Sequence, residues 1–158
     1  MQNQINPYML RALELAQCAA ELGEVPVGAV VVRRTTGEII GEGYNRRETD
    51  RDPLAHAEIL AIREASQTLK GWRLSGCDLY VTLEPCPMCS GAILNARIST
   101  VYFGAYDKKA GSVYSVQEMF ELPYNHRPEV FGGIMQEACG QVLSDFFERL
   151  RENRRDKN

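Results

Sequence analysis

The sequence lacks any apolar run that could cross a membrane. Its longest apolar stretch covers residues 25–32, well short of the roughly 18 residues that a spanning helix needs. The N-terminus also lacks the basic and then apolar pattern of a secretory signal peptide, so we expect a cytoplasmic protein. The length of 158 residues suits one ordinary domain. We therefore predict a single domain over residues 1–158, with a frayed tail at about residues 152–158.

Cysteine and histidine are scarce, with five residues of the first and two of the second. An odd number of cysteines without an export signal argues against a disulfide framework, and a metal-binding or reactive role for some of them gains weight. The side chains concerned are Cys18, Cys77, Cys86, Cys89, Cys139, His56 and His126.

Positive charge is not in excess, because 18 basic residues face 21 acidic ones and the net charge is −3. Proteins that coat nucleic acid need a broadly basic surface, so any RNA contact by this chain must be local. By composition alone, the basic clusters that do occur are more simply read as solvated surface and a frayed helix end. These clusters are Arg46, Arg47 and Arg51, then Lys108 and Lys109, and finally Arg149, Arg151, Arg154, Arg155 and Lys157.

Hydrophobic spacing predicts strands alternating with helices. The predicted strands are residues 27–33, 38–44, 79–82, 100–103 and 129–131. The predicted helices run from the Asn6-Pro7 cap to Gly23, from His56 to Gly71, over residues 88–95 and through the C-terminal segment. This order predicts an α/β fold of three layers, α/β/α, in which helices cover both faces of a mixed five-stranded sheet. The apolar stripe by which the last helix should dock on the sheet consists of Ala138, Val142, Leu143, Phe146, Phe147 and Leu150.

Two short motifs stand at predicted helix starts, His56-Ala57-Glu58 and Pro85-Cys86-Pro87-Met88-Cys89. Cys86 and Cys89 lie across one helical turn and can hold one ion, while the free backbone N–H groups there favour thiolates. His56 can supply a neutral nitrogen as a third ligand. Residues two apart within a helix diverge by about 200°, so His56 and Glu58 converge only on a metal just beyond the helix end. Glu58 could then reach a metal-bound water without being a ligand itself.

A fourth protein ligand would make the site structural, whereas three ligands leave a position open for water, as in catalytic zinc sites. Cys77 precedes a predicted strand and Cys86 lies beyond its other end, about 15 Å away or more, so the strand excludes Cys77. Cys18 and Cys139 fall inside predicted helices and suit buried packing. His126 stays open as a fourth ligand.

The pattern H-x-E, followed about thirty residues later by P-C-x-x-C, is the signature of zinc deaminases. Around this signature the chain resembles the bacterial tRNA adenosine deaminase family (TadA type), within the cytidine deaminase-like fold. The matching segments span nearly the whole chain: residues 23–29, 45, 52–53, 55–59, 79–86, 89, 91–92, 97–98, 103–105, 107, 125–127 and 143–147. Two positions depart from the family pattern, with Leu54 where threonine is usual and Tyr114 where glycine usually precedes Ser115. Both departures bear on the fit of an RNA loop rather than on the zinc chemistry.

The resemblance implies hydrolytic deamination of adenosine to inosine at the wobble position of a tRNA anticodon, by a homodimer with one Zn²⁺ per chain. It agrees with the motif analysis that His56, Cys86 and Cys89 hold the zinc and that Glu58 is the catalytic acid and base.

The resemblance also implies substrate contacts from Val27, Asn45, Ala57 and Asp107. Asn45 matches the family position that contacts the target base, and Asp107 matches one near the ribose. From the sequence alone, Asn45 is equally a turn-forming residue and Asp107 a solvated acid.

A duplex base cannot enter such a pocket, so the substrate should be a loop nucleotide that is splayed out. Arg46, Lys108, Lys109 and the C-terminal helix are the expected contacts to the stem-loop backbone. The main alternative is a deaminase of free nucleobases or nucleosides, of guanine or cytosine type, that uses the same zinc site. A zinc-stabilised binding module with four protein ligands is the non-enzymatic alternative.

Overall fold

The computed structural model describes residues 4–157, and helix α1 spans Pro7–Glu21. The Asn6 side chain accepts hydrogen bonds from the backbone N–H groups of Tyr8 and Met9, and Pro7 occupies the first turn, where its missing N–H is not needed. After the helix, Gly23 takes a φ of 79°, in the left-handed region that favours glycine. The predicted cap, start and stop of this helix are confirmed.

Five strands form one mixed sheet in the order β2-β1-β3-β4-β5. They are β1 (Gly28–Arg33), β2 (Ile39–Tyr44), β3 (Cys77–Leu83), β4 (Thr100–Ala105) and β5 (Glu129–Phe131). Strand β1 pairs antiparallel with β2 and β3, whereas the β3–β4 and β4–β5 pairs are parallel. The predicted hairpin, the parallel β3–β4 unit and the short fifth strand are therefore confirmed.

Helices cover both faces of this sheet, which confirms the three-layer prediction. Helices α2 (Ala57–Leu69) and α3 (Pro87–Ala96) share one apolar core with the sheet, and α1 and α4 (Gln136–Asp156) share the other. Strand β1 contributes to both cores, because Val31 faces the first while Val30 and Val32 face the second. Within residues 4–157, no helix is long and apolar enough to cross a membrane.

Glycines in β2 allow α2 to lie directly on the strand. A Cβ atom at Gly43 would stand 2.4 Å from the carbonyl oxygen of Ala57, and one at Gly41 would stand 2.2 Å from that of Ala61. No other residue fits at this separation without moving the helix. The contact at Gly43 fixes the start of α2, where His56 and Glu58 lie.

The structure of the last helix, α4, differs in part from the predicted apolar stripe and the predicted tail. Its buried anchor is Cys139, which packs so closely on β4 that a Cβ at Gly104 would be 2.3 Å from the Cys139 sulfur. Since neighbouring helical residues are about 100° apart, this contact turns Ala138 outward, and Phe147 is exposed as well. The helix continues to Asp156, so residues 152–156 of the expected tail are helical. Residues 1–3 and Asn158 of the predicted domain lie outside the described residues.

Candidate metal centre and active site

The candidate site lies at the edge of the sheet where β2, β3 and β4 end and β1 begins. Three connections leave this edge, and each carries residues that the sequence analysis singled out. Asn45 follows β2, the Pro85–Cys86 segment follows β3, and Asp107 follows β4. The two helices that carry the metal motifs, α2 and α3, begin at the same place.

His56, Cys86 and Cys89 meet between the starts of α2 and α3. His56 is the N-cap residue of α2, Cys86 is that of α3, and Cys89 lies in the first turn of α3. The His56 Nδ1 atom is 3.6 Å from each of the two sulfur atoms. His56 has extended backbone angles (φ −82°, ψ 152°), so it lies outside the regular helix. The rotation that points helical residues i and i+2 in different directions therefore does not apply to His56 and Glu58.

The donor set fits a zinc ion. The three ligand atoms all lie within 4.8 Å of one another. Zinc bonds of about 2.0 Å to nitrogen and about 2.3 Å to sulfur place these atoms about 3.5 Å apart in a tetrahedral site, close to the separation seen here. One imidazole and two thiols are also donors that zinc prefers.

The other cysteines and the second histidine are not part of this cluster. Within the described residues, the only group of three metal-binding side chains this close together is His56, Cys86 and Cys89. His126 instead places Nε2 2.7 Å from the carbonyl oxygen of Ile98, and Cys77 is buried at the start of β3. Three protein donors therefore converge, which is the number typical of catalytic zinc sites.

The two thiols differ in acidity because one hydrogen-bonds to the other. The bond from Cys89, opposed by burial and reinforced by His56, lowers the pKa of the Cys86 thiol to about 4. The same bond and burial raise the pKa of Cys89. A divalent ion between the two sulfurs would favour ionisation of both thiols.

Glu58 is the acidic residue in the first turn of α2, and it is only 4% exposed. Burial raises the pKa of its carboxyl to about 7, with its own backbone N–H opposing the shift. It lines the same cavity as His56 and Cys86 but does not belong to the ligand cluster. A carboxyl in this position can exchange protons with a molecule bound in the cavity.

The cavity above the cluster brings together all of the residues for which the resemblance implied substrate contacts. Its lining consists of Val25, Val27, Asn45, Arg47, His56, Ala57, Glu58, Leu83, Glu84, Cys86, Asp107 and Ala110. Most of the wall surface is apolar, although polar side chains from several connections meet in the cavity, as is typical of ligand sites.

Asn45 and Asp107 both shape the loops that hold them. The Asn45 side chain donates to the carbonyl oxygen of Val25 (3.1 Å) and accepts from the N–H of Arg47 (3.1 Å). Asp107 Oδ1 accepts from the N–H groups of Lys109 (3.0 Å) and Ala110 (3.3 Å). The turn-forming role considered for Asn45 is therefore real, and it leaves one amide hydrogen and one lone pair for a ligand.

Two buried glutamates beside the cavity were missed by the sequence analysis. Glu24 and Glu84 are each 2% exposed, and their carboxylates accept backbone N–H groups from the loops that border the cavity. Burial alone would raise both pKa values, but hydrogen bonds, chiefly from Thr49 to Glu24 and from Ser115 to Glu84, lower them below their ordinary value. An acidic residue at the end of a buried strand, as Glu84 is, was the available signal.

The basic residues near the cavity are arranged differently from what the sequence predicted. Arg46, an expected RNA contact, forms a bidentate pair with Asp50 and donates to the Tyr44 hydroxyl. Arg47 lines the cavity instead and is exposed. Lys108 and Lys109 are exposed on the loop after Asp107. Exposed cations therefore border both sides of the cavity.

Comparison with known proteins assigns this fold and site to a class. The family model of MafB19-like deaminases matches residues 3–151, so the chain belongs to this deaminase family. A structure of guanine deaminase from Nitrosomonas europaea has a TM-score of 0.73 at 26% identity, over 90% of this chain and 85% of that chain.

Two further comparisons narrow the class. The tRNA-specific adenosine deaminase of Bacillus subtilis (strain 168) is 48% identical over 149 residues, which cover 94% of this chain and 91% of that protein. A structure from studies of A-to-I editing by tRNA:A34 deaminases at the wobble position of transfer RNA has a TM-score of 0.83 at 44% identity, over 86% of this chain and 98% of that chain. Within the deaminases, the chain belongs to the tRNA-specific adenosine deaminase family.

Proposed function

We propose that this protein is a zinc-dependent hydrolase that deaminates adenosine to inosine at the wobble position of a tRNA anticodon. The observation that carries the proposal is the buried Glu58 carboxyl in one cavity with the His56, Cys86 and Cys89 cluster. Family membership supports the tRNA substrate. The same relatives support the wobble adenosine as the target, since the tRNA:A34 deaminases edit that position.

His56, Cys86 and Cys89 would hold one Zn²⁺, with a fourth position left for water. When bound, zinc supplies Lewis-acid activation of water at neutral pH. The chain's part is to present the imidazole and the two sulfurs at fixed separation, which it does by using residues that cap and begin helices packed on the sheet.

Glu58 would move the protons of the hydrolysis. It takes a proton from the attacking water as the C6–O bond forms and passes that proton to a ring nitrogen of adenine. It then takes the proton of the new C6 hydroxyl and gives it to the amino group, so that the C6–N bond breaks and ammonia leaves. The products are inosine and ammonia, and Glu58 returns to its starting state. Its burial beside the cluster, without membership of it, suits this role better than that of a ligand.

The cavity walls suit a flat base attached to a ribose. Val27 and Ala57 offer apolar surface to the base, and Asn45 retains a donor and an acceptor for its edge. The Asp107 Oδ2 atom is free of the turn bonds that occupy Oδ1, so it can accept a hydrogen bond from a ribose hydroxyl.

The RNA backbone would be held locally, since the chain has a net charge of −3. Arg47, which lines the cavity, and the exposed Lys108 and Lys109 after Asp107 would contact phosphates flanking the splayed nucleotide. The sequence analysis also assigned Arg46 and the C-terminal helix to this contact. Arg46 would have to leave Asp50 to take part.

A homodimer and a cytoplasmic location complete the proposal. The apolar groove between α2 and α3 has Ile59, Ile62 and Ala92 in its walls, and Trp72 beside it is 54% exposed. A second copy of the chain covering this groove would account for its apolar surface. Light scattering at micromolar concentration should give twice the 17.8 kDa chain mass, and a monomer would contradict this part.

The deciding experiment compares substrates for the zinc-loaded protein. Inosine and ammonia are measured with an anticodon stem-loop that carries a wobble adenosine, and in parallel with free adenosine, cytidine and guanine. The matched RNA control has guanosine at the wobble position and adenosine elsewhere in the loop. Inosine in the first stem-loop alone supports the proposal.

A second candidate is a deaminase of free guanine, because the Nitrosomonas europaea guanine deaminase shares this fold over 90% of the chain. Turnover of free guanine with no inosine in the stem-loop would favour that candidate and overturn the RNA substrate. Both outcomes leave the cluster and Glu58 in the same chemical roles.

A further inference from the structure

We propose that Glu84 is a positioning residue, which fixes the loop of residues 107–115 beside the metal cluster and so controls how tightly the RNA substrate binds. The inference rests on the proposed function for its RNA readout. Its structural part, that one carboxylate holds this loop in place, can be tested without RNA.

The Glu84 carboxylate gathers five hydrogen bonds from both ends of the loop. Oε1 accepts from the N–H of Asp107 (3.1 Å) and from the hydroxyl of Ser115 (2.5 Å). Oε2 accepts from the N–H groups of Val113 (3.2 Å), Tyr114 (2.8 Å) and Ser115 (2.9 Å). The carboxylate is 2% exposed and is surrounded by five hydrogen-bond donors from one loop, so this loop forms a binding site for a buried anion.

The same residue is tied to the metal side of the site. Its own N–H donates to the carbonyl oxygen of Ala105 at the end of β4, and the next residue, Pro85, accepts from the N–H of Ser112. Cys86 follows immediately. The segment that ends in a metal ligand therefore carries the anchor of the loop that supplies Asp107 and Ala110 to the cavity wall.

Gly111 shows how closely the loop wraps this carboxylate. A Cβ atom at position 111 would stand 2.3 Å from Glu84 Cδ and 2.5 Å from its Oε1. Any side chain there would displace the carboxylate or the loop. Gly111→Ala therefore disturbs the same anchor without changing charge.

Asp107, Lys108 and Lys109, the proposed contacts of this loop to the ribose and the phosphates, all lie in it before Gly111. If Glu84 holds the loop, loss of the anchor should weaken substrate binding while the metal and Glu58 stay in place. A merely structural residue would instead lower the amount of folded, zinc-loaded enzyme and leave the affinity of the surviving molecules unchanged.

The experiment compares wild type with Glu84→Gln, Gly111→Ala and Glu118→Gln. In Glu84→Gln, the new NH₂ group must face either Asp107 N–H or the three N–H groups at Oε2, so one side of the anchor is lost. Glu118→Gln removes the same charge from an exposed position just beyond the loop and is the matched control.

Three readouts are taken on zinc-loaded protein: zinc content, hydrogen exchange of the amides of Asp107, Tyr114 and Ser115, and stem-loop binding by fluorescence anisotropy, followed by kcat and KM. We expect Glu84→Gln and Gly111→Ala to keep one zinc per chain and to exchange these amides about tenfold faster or more. Their stem-loop Kd and KM should rise about tenfold or more, while kcat changes less. Glu118→Gln should match wild type.

Unchanged amide exchange and unchanged Kd in both anchor variants would overturn the proposal. It would also be overturned if the variants lost zinc but the remaining zinc-loaded protein had wild-type amide exchange and Kd. If Glu84→Gln does not fold, Gly111→Ala and Ser115→Ala decide it, since each weakens the anchor without removing the carboxylate. A wild-type protein that neither binds nor edits the stem-loop would overturn the proposed function. The exchange of the loop amides would then decide separately whether Glu84 holds the loop.

Discussion

Buried glutamates lie both on the floor of the cavity, beside the metal cluster, and on its rim, where loops border it, but their surroundings have opposite effects on their pKa values. Glu58 on the floor and Glu24 and Glu84 on the rim are all glutamates, and none is more than 4% exposed. On the floor, burial raises the pKa of Glu58 to about 7. On the rim, hydrogen bonds from loop side chains and N–H groups, chiefly those of Thr49 and Ser115, overcome the effect of burial and hold the other two pKa values below the ordinary one.

The difference lies in the donors that the fold supplies. A carboxylate held by such hydrogen bonds stays charged and holds its loop, but it carries no proton to exchange at neutral pH. A carboxyl without such donors can take and release a proton, which is what hydrolysis requires. The comparison predicts that floor substitutions affect turnover, whereas rim substitutions affect stability and affinity with the metal retained.

The largest effect should follow loss of a metal ligand from the floor. Cys86→Ser removes one of three donors, and we expect zinc content to fall from one per chain to nearly zero and activity to become undetectable. Metal analysis after dialysis checks this. Cys18→Ser, at a half-buried position in α1 outside the cluster, is the matched control and should keep its zinc. Full zinc content in Cys86→Ser would remove Cys86 from the ligand set.

Glu58→Gln separates the proton route from the metal. We expect normal zinc content and a fall in kcat of about 10²- to 10⁴-fold, the range that general acid–base transfer contributes. The measurement is single-turnover inosine formation with the stem-loop. Glu64→Gln, on the exposed side of the same helix, should be fully active. Near-wild-type turnover in zinc-loaded Glu58→Gln would exclude Glu58 as the acid and base.

Glu24→Gln tests whether the Glu24 carboxylate on the rim stabilises the fold, through the free energy of unfolding. The Glu24 carboxylate accepts hydrogen bonds from the N–H groups of Glu48 (3.1 Å) and Thr49 (2.7 Å), and the variant leaves one of these donors facing an NH₂ group instead of an acceptor. We expect a loss of about 2 kcal/mol in the free energy of unfolding at pH 7, measured by urea denaturation. Zinc content should stay at one per chain.

The difference in the free energy of unfolding between wild type and Glu24→Gln should change with pH in one definite direction. Because folding lowers the pKa of Glu24, its contribution is complete above the ordinary value of 4.5 and is lost as the pH falls through the folded-state pKa. The gap in stability between wild type and Glu24→Gln should therefore be constant from pH 7 to pH 5 and narrow below about pH 4.5. A gap that widens on acidification would contradict the anchoring role.

The metal cluster and Glu58 on the floor were predictable from the sequence, whereas the loop-holding roles of Glu24 and Glu84 on the rim were not, for a physical reason. His56, Cys86 and Cys89 are placed by helix starts, which short-range spacing reveals, and Glu58 follows from its offset to His56. The amides that Glu84 holds lie 23 to 31 residues further along the chain, and no local pattern encodes that pairing. The rotation of α4 about its axis likewise follows from packing across the fold, chiefly the close contact of Cys139 with Gly104.

The smallest expected effect concerns two adjacent arginines on the rim. Arg46 is held by Asp50 and Tyr44, whereas Arg47 faces the cavity. A phosphate contact by Arg47 would release about one counterion, so Arg47→Ala should weaken stem-loop binding about fivefold and reduce the slope of log Kd against log salt by about 1. Arg46→Ala is the matched comparison, and its slope should change less, because in the wild type Asp50 already neutralises that guanidinium. If Arg46→Ala showed the larger change in slope, the ion pair with Asp50 would have to open in the complex, and Arg46 rather than Arg47 would be the residue that meets the RNA.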